Sequence, residues 1–226
     1  MQKELKGIIL VDKPSGITSH DVVDIVRKRL KIKKVGHGGT LDPLATGLLI
    51  ILVGKATKLF SKFSSFDKGY EATLKLGVST TTGDSQGDVL GECAYEHISL
   101  DRIKEAFKDF EGEILQTPPQ VCALRYKGKR LYDLARKGQI VELAPRRIKI
   151  HSLEIKDMNL PEIDFYIYCS KGTYVRKIAQ DIGEVLGCGA YVTRIRRTKI
   201  GPFLLKDSLD PYKIDEDSLI RKIPEI

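Results

Sequence analysis

The sequence predicts an α+β fold: one domain built on a mixed, mainly antiparallel sheet flanked by helices and loops. Three observations carry this. Strand-like patterns outnumber helical ones and show little strand-helix-strand alternation. The chain has 226 residues, 42% of them hydrophobic, which suffices to close one sizeable core. It also lacks any Gly-X-Y period, heptad array or 20–50-residue repeat. No composition break marks a linker, so residues 1–206 are read as one domain and 207–226 as a short tail.

Residues 7–12 read as a buried strand, ended by the turn Lys13-Pro14-Ser15-Gly16. Thr18 and Asp21 form a capping-box pattern, and Val22, Ile25, Val26 and Leu30 follow at helical spacing, which predicts a helix over 19–30. The apolar run 48–53, between Gly47 and Gly54, is a second buried strand, far too short to span a bilayer. Tyr70, Ala72, Leu74 and Leu76 alternate with Glu71, Thr73 and Lys75, the pattern of a half-buried antiparallel strand. Ser99 caps a helix whose stripe is Leu100, Ile103, Phe107 and Phe110.

Residues 111–145, with three prolines and many cations, read as an excursion from the core holding one short helix. Two strands follow: one alternates through Ile148, Ile150, Leu153 and Ile155, the other through Ile163, Phe165, Ile167 and Cys169. Val175, Ile178, Ala179, Ile182, Val185 and Leu186 then make one helical stripe, with Thr173 as N-cap and Gly187 as its stop. A last strand near 192–200 carries Arg194, Arg196 and Arg197.

Composition narrows the function. The N-terminus has no apolar signal segment, which predicts a soluble, cytoplasmic protein. Cys93, Cys122, Cys169 and Cys188 form no C-x-x-C pair and the four histidines no ligand cluster, so neither a disulfide frame nor a metal is expected. The net charge is +8, and residues 121–206 alone carry 18 basic against 8 acidic groups. A further run, 27–34, packs six cations into eight residues. Such asymmetry attracts polyanions, although a solvated lysine-rich surface has the same composition.

Three stretches could carry chemistry. In Gly36-His37-Gly38-Gly39-Thr40-Leu41-Asp42-Pro43-Leu44-Ala45-Thr46-Gly47, the glycines permit tight turns, and Asp42 sits on a constrained loop before a rigid strand. A carboxylate held there serves as nucleophile or base, or else merely caps an Asp-Pro turn. In Cys169-Ser170-Lys171-Gly172-Thr173-Tyr174-Val175-Arg176, Arg176 falls off the apolar stripe. It is free to pair with a buried carboxylate or to face solvent. Tyr70 either edges the core or stacks on an extruded base.

Together these stretches resemble the TruB family of tRNA pseudouridine synthases. The resemblance runs from Gly7 to about Phe203. It rests on Val11-Asp12-Lys13-Pro14-Ser15-Gly16, the 36–47 stretch, Lys68-Gly69-Tyr70, Thr117-Pro118-Pro119, the 128–138 motif, Gly172-Thr173-Tyr174-Val175-Arg176 and Arg196-Arg197-Thr198. It implies an isomerase that converts uridine 55 in the T arm of tRNA after flipping the base, with no cofactor and no metal. Asp42 matches the catalytic aspartate, Tyr70 the tyrosine that stacks on the target uracil, and Arg176 the arginine that pairs with the aspartate in the empty site. Tyr174 and Ile195 match residues lining the nucleotide pocket. His37 matches the histidine that enters the T loop, Lys13 and Pro14 a motif supporting the site, and Lys58 an RNA-contacting lysine. Arg197 of the last motif is placed with the RNA-binding residues, and the segment 117–145 matches one that folds over bound RNA.

The resemblance has two departures. The chain has Cys122-Ala123-Leu124-Arg125 where the family often has Ser-Ala-x-Lys, which keeps the charge and changes the donor geometry. It also stops about twenty residues after Phe203, where many relatives continue into a PUA-like RNA-binding domain. The expectation is therefore a monomer that binds tRNA through the catalytic domain alone, with no protein partner and no membrane. The alternatives are an RNA-binding or tRNA-folding protein without turnover, and a guide-dependent synthase acting on ribosomal RNA.

Overall fold

A computed structural model describes residues 6–221 except Ala123 and Arg136, without the side chains of Arg125 and Arg130. Arg136 of the 128–138 motif, and Ala123 and the Arg125 side chain of the departing stretch, thus lie outside what is described. The chain divides into two compact units, Met1–Tyr70 with Arg196–Ile226, and Glu71–Ile195. In chain order the elements begin β1 (Gly7–Lys13), α1 (Ser19–Leu30), β2 (Val35–His37), β3 (Thr46–Val53), α2 (Phe60–Ser64) and β4 (Lys68–Leu76). There follow β5 (Val78–Thr80), β6 (Val89–Glu92), α3 (Leu100–Asp109), β7 (Gly112–Gln116), β8 (Arg125–Tyr126), β9 (Lys129–Arg130) and α4 (Leu131–Ala135). The last are β10 (Arg146–Asn159), β11 (Glu162–Cys169), α5 (Val175–Leu186), β12 (Ala190–Ile200) and β13 (Phe203–Leu204). Among the described residues, no helix is long and apolar enough to cross a membrane.

In the first unit β3 is the axis. It pairs antiparallel with β1 from Gly7↔Val53 to Lys13↔Gly47, antiparallel with β2, and parallel with β12 at Arg196↔Thr46 and Arg197↔Gly47. Every residue of the run 48–53 is buried, because both faces of β3 are covered. One face packs Leu48, Ile50 and Leu52 with Ile8, Leu10, Phe63, Ile200 and Phe203. The capping box at α1 forms as its sequence predicts: Asp21 N–H donates to Thr18 Oγ1 at 3.1 Å, and Thr18 N–H to Asp21 Oδ2 at 2.7 Å. The tail covers an edge. Ile220 exchanges backbone hydrogen bonds with Ile8, while Leu209 N–H donates to Leu10 O and Asp12 N–H to Leu209 O. The open side of β1 is thereby satisfied.

In the second unit the strand order is β4, β11, β10, β7. β10 runs antiparallel to β11, with register shifts near Ser152 and Asp157, and antiparallel to β7 from Gly112↔Ile150 to Gln116↔Arg146. α3 packs against β10 and α5, with Phe107 edge-on to Phe165 at 5.6 Å. The sheet is mixed and mainly antiparallel, as the sequence predicts.

Several details depart from the sequence reading. Residues 112–116 belong to the sheet, so the excursion begins only after Gln116. Beyond its helix α4 it holds a two-residue hairpin, β8–β9, turning at Lys127 (φ 46°) and Gly128 (φ 83°). Leu100 and Val185 leave their predicted stripes and are half exposed. Thr173 does not cap α5: the N-cap is Tyr174, and the Thr173 hydroxyl instead donates to Ser170 O. Thr73, predicted on the polar face of β4, is buried because its hydroxyl donates to Asp164 of the second unit.

Candidate active site

The loop 36–47 is fastened by side chains from three other elements of the first unit. Lys13, at the end of β1, is fully buried, and its ammonium donates to Pro14 O (2.8 Å), Ile17 O (2.7 Å) and Pro43 O (3.3 Å). An ammonium has three donors, and all are used. Ser19, at the start of α1, accepts from Leu41 N–H at 2.8 Å and donates to Leu41 O at 3.1 Å. Arg197 on β12, 2% exposed, donates from Nε to Leu48 O (2.8 Å) and from its two terminal nitrogens to Thr40 O (3.2 Å) and Gly39 O (3.3 Å). Gly16 N–H also donates to Pro43 O at 2.9 Å. The backbone on either side of Asp42 is therefore fixed, while Asp42 itself stays partly exposed.

Electrostatics follow from this burial. Burial pushes the Lys13 ammonium down from 10.5 to about 8; the neighbouring Asp42 carboxylate opposes the shift and the Arg197 guanidinium adds to it. Two glycines make the loop possible. Gly47 has φ +101°, and a Cβ there would meet Arg197 O at 2.3 Å; a Cβ on Gly38 would meet the Phe63 Cβ at 2.8 Å.

Lys13 and Arg197 are both buried, and each donates to backbone carbonyls of or beside the loop. They position the Asp42 loop. Pro14 belongs to the same turn and offers its carbonyl to Lys13. The other predicted residues of this unit are differently placed. His37 lies on β2 and is partly exposed, and Lys58 is exposed on the short 3-10 turn Gly54–Leu59. Tyr70 is 9% exposed near the start of β4, beside Lys68, whose ammonium donates to Ser64 O and Phe66 O.

Tyr174, Arg176 and Ile195 belong to the second unit. Arg176 is buried, not solvent-facing: its Nε lies 3.5 Å from Asp84 Oδ2, and its terminal nitrogens donate to Thr82 O (2.6 Å) and Val121 O (2.9 Å). Asp84, also buried, accepts from Thr82 Oγ1 and Gln86 N–H. Nothing in its Thr-, Gly- and Ser-rich surroundings marks Asp84 in the sequence. Tyr174 packs against a small apolar cluster of Cys122, Leu131 and Leu134 within the excursion. Its backbone bonds on both sides to the Gln116 carboxamide, another residue the sequence left unmarked. Ile195 is buried on β12. Among the described residues, no three His, Cys, Asp or Glu side chains gather as a metal site requires.

Comparison with known proteins places this geometry. Residues 27–175 match the N-terminal domain of TruB family pseudouridylate synthases, and residues 176–216 match the tRNA pseudouridylate synthase B C-terminal domain. A protein of Opitutus terrae named tRNA pseudouridine synthase B is 47% identical over 208 residues, covering 92% of this chain and 86% of the relative. One of the same name from Endomicrobium trichonymphae is 46% identical over 220 residues, covering 97% and 96%. Among solved structures, a Cbf5-Nop10-Gar1 complex contains a chain 32% identical with a TM-score of 0.70. The match covers 90% of this chain and only 52% of that one, so the chain spans about half of that larger protein. With the two family domains matching without a gap from α1 into the tail, and with near-half identity along almost the whole chain, the protein belongs to the TruB family of pseudouridylate synthases.

Proposed function

We propose that this protein is a tRNA pseudouridine synthase that isomerises uridine 55 in the T arm, with Asp42 as its catalytic carboxylate. The observation that carries the reading is the Asp42 loop. A partly exposed carboxylate is held between backbone segments that two buried cations and a serine immobilise. This occurs in a chain 46–47% identical to relatives named tRNA pseudouridine synthase B.

The chemistry suits such a group. The N1–C1′ bond of the uridine breaks, the uracil turns, and a C5–C1′ bond forms; the proton lost from C5 is balanced by one gained at N1. The reaction is an isomerisation, so it needs neither an oxidant nor an energy source. A fixed carboxylate attacks C1′ or C6, or stabilises the positive charge that develops at C1′ as the bond breaks. Fixing it beforehand removes reorganisation from the barrier. Tyr70 stacks on the flipped uracil and takes part in proton removal, and Tyr174 and Ile195 line the nucleotide's surroundings. Arg176, held by Asp84 and two carbonyls, is the arginine we assign to the catalytic set. His37 enters the T loop, Lys58 contacts RNA, and the segment 117–145 covers it. The protein works as a cytoplasmic monomer.

The test is carbodiimide mapping of unmodified tRNA incubated with wild type or Asp42→Asn, without guide RNA. Conversion at uridine 55 by wild type alone is expected. Tight tRNA binding without conversion by either protein would leave an RNA-binding or tRNA-folding role. Conversion only when a guide RNA is supplied would favour the guide-dependent reading.

A further inference from the structure

Gln116 closes β7 and is 2% exposed. Tyr174 N–H donates to Gln116 Oε1 at 2.9 Å, and Gln116 Nε2 donates back to Tyr174 O at 3.2 Å. One carboxamide thus engages both backbone groups of a single residue, as a neighbouring strand would. The residue it engages is the N-cap of α5, which has no side-chain cap bond of its own. Tyr174 O is also the acceptor that starts the helix, receiving Lys177 N–H and Ile178 N–H at 3.1 Å each. Gln116 therefore fixes the point at which α5 begins and from which the Tyr174 side chain leaves.

A buried amide is costly unless it is bonded, and Met or Leu would fill the space without that demand. What the amide adds is direction. We propose that Gln116 is a positioning residue for the reaction, setting the Tyr174 backbone and so the surface that Tyr174 presents to the target nucleotide. This rests on the assignment of Tyr174 to the nucleotide site under the proposed function.

The same segment supplies an internal control. Gln120 makes an equivalent reciprocal pair with Val141, Nε2 donating to Val141 O at 2.8 Å and Val141 N–H to Oε1 at 3.1 Å. Both partners lie inside 117–145, so this pair closes the segment on itself.

The experiment is single-turnover conversion of unmodified tRNA at saturating enzyme, with tRNA binding measured in parallel for wild type, Gln116→Met, Gln120→Met and Tyr174→Ala. At saturation the rate constant does not depend on the folded fraction, so a merely structural role leaves it unmoved. Gln116→Met is expected to lower the rate constant by roughly tenfold to a hundredfold, with tRNA affinity within about twofold of wild type. Gln120→Met is expected to weaken binding and to lower the rate constant much less than Gln116→Met does. Should Gln116→Met not fold, Gln116→Asn, which withdraws the amide by one methylene, is expected to show the same slowing. A wild-type rate constant in the folded Gln116 variant while Tyr174→Ala is slow would overturn the inference and spare the site assignment. Slowing by Gln116→Met beside an unaffected Tyr174→Ala would show that Gln116 does not act through Tyr174, and would also overturn it. If both variants keep the wild-type rate constant, the assignment of Tyr174 fails along with it.

Discussion

The loop 36–47 and the segment 117–145 are both irregular and rich in glycine or proline, yet they are held in opposite ways. Lys13, Ser19 and Arg197 reach the loop from β1, α1 and β12, and the Arg197 bonds close contacts 157 and 158 residues apart in sequence. The segment 117–145 is fastened mainly from within, by the Gln120–Val141 pair and the cluster of Cys122, Leu131 and Leu134. Tyr174 joins that cluster from outside the segment, and Arg176 donates to Val121 O. A group that must be in place before the substrate arrives is secured by the core of its unit, at the cost of burying two cations. A segment built locally can open without disturbing the sheet, as the RNA-covering role we propose for it requires.

The sharpest way to break this comparison is Gly47→Ala. A Cβ at this position would meet both Arg197 O at 2.3 Å and Arg197 N at 2.8 Å, on a backbone with φ +101°. Moving β12 to make room also moves the Arg197 guanidinium from Thr40 and Gly39. We expect a loss of about 3–5 kcal/mol in urea unfolding, with conversion of uridine 55 abolished. A wild-type midpoint would mean that the loop is not tied to β12 as described.

Lys13 gives a second and smaller effect, visible through pH. Its native value of about 8 lies below the ordinary 10.5. Below pH 8 both states hold the proton, and the full cost of burying the ammonium is present. Between 8 and 10.5 the unfolded chain keeps a proton that the native state has released, so this contribution to stability rises with pH. Lys13→Met lacks the titration. Urea midpoints of the two proteins are therefore expected to draw apart, wild type gaining on the variant, as pH is raised from 7.5 to 10.5. A constant difference would show that Lys13 is not buried as an ammonium.

Much of this contrast was legible before the structure, and the boundary is physical. Periodicity and caps reveal what neighbours along the chain decide: β1, β3, α1, α3, α5 and the Gly187 stop all followed from local pattern. Three-residue strands such as β2 and β5 carry no period, and β7 is a strand only because β10 offers it an edge. The site divides the same way. Asp42 stood out by its glycine-rich surroundings. Arg197 was placed with the RNA-binding residues because a cation in a sequence reads as surface, and only burial distinguishes a cation that meets carbonyls from one that meets solvent. Gln116 and Asp84 were invisible, since a buried polar side chain is defined by a partner far along the chain.

Leu131→Ala tests the local half of the comparison. Leu131 is 1% exposed at the centre of the small cluster, so its truncation costs about 2–4 kcal/mol of packing. That loss lowers the free energy of opening 117–145, and limited proteolysis is expected to cut more than about tenfold faster, with the first cuts confined to the segment. First cuts in the sheet strands would show that the segment unfolds with the sheet.

The smallest effect concerns an exposed cation. Lys58 is exposed on the Gly54–Leu59 turn, whereas Lys13 and Arg197 of the same unit are buried and bonded to backbone carbonyls. We assign Lys58 to phosphate contact, and its exposure makes that assignment testable without disturbing the core. Lys58→Ala should leave the urea midpoint and the single-turnover rate constant at wild-type values. It should weaken tRNA binding about two- to fivefold and lower the salt slope of binding by about 0.7–0.9, the release of roughly one counterion. An unchanged slope would take Lys58 out of the RNA interface, and a shifted midpoint would place it with the buried cations instead.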